Sequence, residues 1–126
     1  MDYKTPLARA KGLGSAKSGT GHWWMQRITA VALIPLSFWL LEFLGLSLTA
    51  PYQQTVDWLA SPVNTVCIVA WIAAAFYHAA LGLQVVLEDY VAAEGAKIIS
   101  IWAVNLAFLF LAITALLAVF RVVSIG

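Results

Sequence analysis

The sequence predicts an all-α integral membrane protein with three transmembrane helices, and three observations carry that prediction. Of 126 residues, 63% are hydrophobic and 10% charged, where soluble domains average about 45–50% and about 25%. The apolar residues gather in three continuous runs rather than alternating along strands, which excludes a β-barrel. Each run reaches the roughly 20 residues that a helix needs to cross a hydrocarbon core of about 30 Å. In lipid the backbone must satisfy its own hydrogen bonds, so such runs are helices. A soluble globule of this length could not hide so much apolar surface. The net charge of +1 offers no basic patch to a nucleic acid. The single cysteine, Cys67, excludes a disulfide scaffold and any thiolate cluster built from this chain alone; it reads as a small packing residue.

Residues 1–21 are polar and small, with Lys4, Arg9, Lys11 and Lys17, and read as a mobile tail. The apolar stretch behind them is too long for a signal-peptide core and lacks a small-residue exit. A mitochondrial presequence would be rich in Arg and poor in acids, whereas this tail has one Arg and carries Asp2. Residues 22–126 form the membrane domain, with helices expected at about 24–48, 63–91 and 98–123. Thr49-Ala50-Pro51 ends the first, and Pro35 is a candidate kink within it. Ser61 and Pro62 start the second as N-cap and first helical residue. Ala92-Ala93-Glu94-Gly95 turns into the third. Residues 52–60 are too short to span and carry Tyr52 and Trp58, so an interfacial position is expected.

The basic residues set the orientation. Lys4, Arg9, Lys11, Lys17, Arg27 and Lys97 fall on one side and Arg121 alone on the other. The positive-inside rule then puts the N-terminus and residues 88–97 in the cytoplasm and the C-terminus outside. A bacterial inner membrane with a periplasmic C-terminus fits this pattern better than a mitochondrial one.

Polar groups within a bilayer are costly and are candidate functional residues. His78 lies mid-way along the second helix, 12 residues before Tyr90, or about 18 Å along the axis. At that depth an imidazole serves either as an axial ligand to haem iron or as a hydrogen-bond partner for another helix. Ala74, Ala75, Leu81 and Gly82 surround it at helical spacing, a small-residue face that admits a flat macrocycle or a neighbouring helix. Asp89 lies 11 residues further on, only about 20° off the same face. Tyr90 beside it can donate a hydrogen bond to a carbonyl oxygen, or belong to an interfacial aromatic belt.

Arg27 can pair with a propionate or phosphate oxygen or simply snorkel. Snorkelling accounts for Glu42 and Arg121, and interhelical bonding for Asn105 and Thr114. The other histidine, His22, precedes the first apolar run and cannot reach the midplane. Three helices are also too few to enclose a haem. If His78 binds haem, a second ligand must come from another subunit.

The stretch Tyr77-His78-Ala79-Ala80-Leu81-Gly82-Leu83-Gln84-Val85-Val86-Leu87-Glu88-Asp89-Tyr90 resembles the H-x3-G-x6-D-Y signature of the hydrophobic membrane anchor family of succinate dehydrogenase (respiratory complex II). The segment from His22 to Arg27, leading into the first helix, fits as well. The resemblance implies a six-helix bundle formed with a companion cytochrome b anchor. It implies that His78 is an axial ligand of haem b, that Gly82 allows close approach, and that Arg27 lies near the propionates. It further implies that Tyr90 and Asp89 belong to the ubiquinone site, completed by the iron–sulfur subunit below the flavoprotein. On this resemblance the chain itself carries no flavin, succinate or iron–sulfur site. A haem-free fumarate-reductase-type anchor and a non-redox membrane protein, such as a transporter or assembly factor, stand as alternatives.

Overall fold

The structure is a computed structural model that describes residues 3–12 and 19–125. The described residues form five helices and no strand: α1 (Pro6–Lys11), α2 (Gly19–Thr49), α3 (Tyr52–Ala60), α4 (Pro62–Tyr90) and α5 (Glu94–Ile125). Helices α2, α4 and α5 are each long and apolar enough to cross a membrane, and they match the three expected spans. The α4 helix packs against α2 on one side and α5 on the other, while no Cα pair within 8 Å joins α2 to α5. The three long helices therefore form an open layer rather than a closed bundle.

The short helix α3 braces one end of this layer. It contacts α2, α4 and α5 and buries Val56 and Leu59. Leu59 joins Ile68 and Ile72 of α4 in the one buried apolar cluster among the described residues, with Ala115, Leu116 and Val119 of α5 against it. Glu42 does more than snorkel: its carboxylate accepts a hydrogen bond from the Trp58 indole at 3.1 Å and ties α3 back to α2. The α3–α4 corner follows the expected Ser61–Pro62 pattern, but the Ser61 side chain makes no capping bond. Thr65 and Asn64 supply the polar links instead, donating to the carbonyls of Leu59 and Trp58.

Three elements differ from expectation. Residues 6–11 of the tail are helical: the Thr5 hydroxyl accepts from the Ala8 N–H, and Pro6 occupies the first turn, where its missing N–H costs nothing. The remainder of the expected mobile stretch, residues 1–2 and 13–18, lies outside the described residues. The α2 helix begins at Gly19 rather than near Trp24, so His22 lies inside its first turns instead of preceding it. Glu94 and Gly95 open α5 instead of forming a turn, with the Glu94 carboxylate suited to the positive end of the helix dipole. Pro35 sits inside α2 without ending it, although it cannot donate to the Val31 carbonyl.

The α2–α4 seam carries a ladder of cross-helix hydrogen bonds. Thr29 meets His78 at 3.0 Å, Ser37 accepts from the Trp71 indole at 3.2 Å, and Asn64 accepts from the Trp39 indole at 3.2 Å. The rungs fall at opposed positions on two antiparallel helices and so fix their register. Such bonds average about 0.6 kcal/mol in a membrane and reach about 1.7 kcal/mol. Asn64→Ala strands the Trp39 indole and the Trp58 carbonyl together, so a loss of about 1–2 kcal/mol is expected, read as a lower melting temperature of the purified complex. Thr114 bonds its own helix at the Phe110 carbonyl and not a neighbour. Thr114→Ala should therefore change little, and equal losses for the two variants would count against the ladder.

Candidate functional site

His78 is half-buried on the face of α4 that meets α2. Its Nδ1 lies 3.0 Å from the Thr29 Oγ1, and Thr29 is only 7% exposed. The same hydroxyl lies 2.7 Å from the Met25 carbonyl and 3.2 Å from that of Gln26. No hydrogen-bond partner reaches the His78 Nε2 among the described residues. One turn along α4, Gly82 faces the Gln26 side chain: a Cβ at this position would lie 3.6 Å from Gln26 Nε2, an ordinary contact. The small-residue face thus accommodates α2 within this chain. The Gln26 Oε1 is buried without a partner.

Arg27 stacks its guanidinium 5.2 Å over the Trp23 ring, and Trp23 meets Trp24 edge to face at 5.0 Å. Arg27 lines a cleft of about 360 Å³ with His22, Gln26, Gln84 and Glu88. A neighbouring cleft of about 410 Å³ opens on the exposed side of α4, flanked by His22 of α2 and Asn105 and Phe108 of α5, with Tyr77 and Gln84 on its floor. The inclusion of His22 in α2 is what brings it to both clefts. The α2 and α5 helices do not pack closely against each other, and both clefts lie along the layer beside α4.

Asp89 and Tyr90 end α4. Both are exposed, Tyr90 to 83%, and neither makes a side-chain hydrogen bond among the described residues. Successive residues point about 100° apart on a helix, so the carboxylate and the phenol face different directions. His78 and Tyr90 therefore occupy two levels of one helix, about 18 Å apart along its axis, and not one pocket. The structure brings His78, Gly82, Thr29 and Gln26 together along the seam. It gathers Arg27 with His22 beside that seam and leaves Asp89 and Tyr90 at an open end.

Among the described residues no group of three or more His, Cys, Asp or Glu side chains could hold a metal ion. Among the described residues, a metal bound by His78 would not find three His, Cys, Asp or Glu ligands in this chain. The donor chemistry is compatible with that: one ring nitrogen meets Thr29 and the other has no partner among the described residues. Sequence reasoning missed Thr29 and Gln26. Polar residues in an apolar helix were the available signal, but the Thr29 partner lies 49 positions away and the neighbour of Gln26, Gly82, lies across the helix seam.

Comparison with known proteins follows the same lines. A family model described as "Succinate dehydrogenase/Fumarate reductase transmembrane subunit" matches residues 1–120. The chain is 36% identical over 119 residues to the succinate dehydrogenase hydrophobic membrane anchor subunit of Rickettsia bellii, covering 94% of this chain and 95% of that protein. It is 30% identical to the succinate dehydrogenase membrane anchor subunit of Reclinomonas americana over 92 residues, or 71% of this chain and 77% of that one. The corresponding protein of Paracoccus denitrificans is 28% identical over 90 residues, with 71% and 70% covered. No solved structure matches.

Proposed function

The chain belongs to the succinate dehydrogenase/fumarate reductase transmembrane subunit family, and from that premise we propose that it shares a haem b and a quinone-reduction site with the other subunits of a succinate:quinone oxidoreductase. Its place as a membrane anchor of a succinate dehydrogenase accords with three helices able to span a bilayer and an open layer that needs partners. The proposed partners are a companion cytochrome b anchor, an iron–sulfur subunit and a flavoprotein, in a bacterial inner membrane.

One observation carries the haem assignment: a single mid-helix histidine whose Nδ1 is engaged while its Nε2 has no partner among the described residues. His78 would hold the iron through Nε2, with a further ligand from the companion anchor. Arg27, at the near end of α2, would pair with a propionate. When bound, the haem would supply one-electron redox chemistry. At the end of α4, Tyr90 donates its phenol hydrogen to a quinone carbonyl oxygen and stabilises the charge that develops there. Quinone takes up two electrons, delivered from succinate through the iron–sulfur subunit, and two protons to become quinol. Asp89, one residue away, serves the proton supply at that mouth. The exposure of both side chains in the single chain supports a pocket completed by other subunits.

A reduced-minus-oxidised spectrum of the purified complex tests this reading. A b-type band is expected, and a colourless complex would favour a haem-free fumarate-reductase-type anchor. The orientation is tested separately. A reporter active only in the periplasm should work when fused after Gly126 and fail when fused before Met1. The reverse result would move the quinone end of α4 to the outer face, away from a cytoplasmic catalytic arm.

A further inference from the structure

We propose that Thr29 is a positioning residue that fixes His78 as the tautomer protonated on Nδ1, leaving the Nε2 lone pair for ligation. The proposal deepens the reading of His78 as a haem ligand and rests on it for its functional consequence. The geometry of the hydroxyl carries the argument. A threonine hydroxyl has one proton to give. Within reach of Thr29 Oγ1 are the Met25 carbonyl at 2.7 Å, the Gln26 carbonyl at 3.2 Å and the His78 Nδ1 at 3.0 Å. The shortest of these is the back-bond to the carbonyl four residues earlier that hydroxyls in apolar helices commonly make. With its proton committed to Met25, Oγ1 presents only lone pairs to the imidazole. A ring nitrogen at 3.0 Å must then be the donor. A neutral imidazole carries a single N–H, so Nε2 is left bare.

Burial and stiffness make this arrangement persistent. At 7% exposure, Thr29 is largely shielded from water that could exchange roles with either partner. A β-branched side chain is restricted at χ1 in a helix, so the oxygen is held at one angle. The bond crosses from α2 to α4 and sets the ring plane as well as the tautomer. The opposite polarity, with Thr29 donating to Nδ1, would place the proton on Nε2 and block ligation. It would also forfeit the Met25 bond. Donation from Nδ1–H raises the basicity of the ligating nitrogen, so the hydroxyl favours the more highly charged, oxidised iron.

The test uses the intact complex carrying Thr29→Val, which keeps the shape and loses the hydroxyl, and Thr29→Ser, which keeps the hydroxyl. In a redox titration of the b band, Thr29→Val should shift the reduction equilibrium about three- to tenfold towards the reduced form. This is about 30–60 mV at about 59 mV per tenfold for one electron. Thr29→Ser should stay near wild type. Nitrogen-15 solid-state spectra of the reduced, histidine-labelled complex read the tautomer without any variant at Thr29. The His78 signals, identified by their absence in His78→Ala, should show a protonated Nδ1 and an unprotonated Nε2. A proton on Nε2, or a potential unmoved in Thr29→Val, overturns the proposal. A b band that survives His78→Ala overturns the ligand reading instead, and the nitrogen spectra still decide the role of Thr29.

Discussion

Replacing His78 by alanine should remove the b-type band expected of the purified complex, while succinate oxidation by an artificial dye should persist. The structure makes this substitution a clean one. Alanine is the best helix former, and His78 lies in the interior of α4 with helix on both sides. The variant loses one cross-helix bond to Thr29, about 0.6 kcal/mol in a membrane, while the Trp71–Ser37 and Asn64–Trp39 links remain. Such a loss cannot unfold the layer, so disappearance of the band reports ligation and not collapse. Haem content should fall at least about tenfold, within the range seen when metal-site residues are removed. Dye-linked activity, which in the proposed reading depends on the flavin and iron–sulfur arm, should stay within about twofold. A band of unchanged height and position would show that the iron takes both ligands elsewhere, leaving His78 as a helix-bonding residue alone.

Tyr90→Phe should cut succinate:quinone activity about 10–100-fold and leave the dye reaction untouched. The substitution deletes one oxygen from a side chain that is 83% exposed within this chain and makes no hydrogen bond among the described residues. Exposed substitutions of this kind usually change stability by less than about 0.5 kcal/mol. The folded anchor is therefore preserved, and the loss is confined to what the phenol does for the reacting quinone. Removing one preorganised donor from a developing oxyanion typically costs about 100–1,000-fold. A smaller figure is expected here because other subunits also line the pocket. Full quinone activity in this variant would leave Tyr90 as an interfacial aromatic.

The spans were legible because lipid leaves an apolar run little choice but helix. The ends were less so, because helix ends answer to local caps and tertiary contact rather than to hydropathy. Thr5 and Pro6 carried a readable start signal for α1 that the polarity of the tail obscured. The first turns of α2 are glycine-rich and polar and look like loop by composition, yet the helix runs back to Gly19. His78 stood out as an ionisable group at depth, and the structure shows its bond to a neighbouring helix: Nδ1 meets Thr29, while Nε2 has no partner among the described residues. Its partner was not legible. Nothing local links Thr29 to His78, and only the antiparallel register of α2 and α4 brings them together. Glu42 was misread for the same reason, its tryptophan partner lying 16 positions on. The separation of Asp89 from the Tyr90 face follows from helix geometry and needed no structure.

The polar links among the long helices all lie to one side of α4. Among the described residues, α5 makes no side-chain hydrogen bond to another helix; it packs through Phe108 on Phe76 at 6.0 Å and through its apolar residues on the Leu59 cluster. This division has a temporal meaning. A chain emerging from the ribosome presents α2, α3 and α4 first, and that segment already holds every rung that sets their register. The α5 helix, leaving the ribosome after them, packs by shape against a surface that α2, α3 and α4 have already formed. Biogenesis can thus proceed as a bonded hairpin followed by a fitted third span, and errors in the third span can still be corrected by sliding.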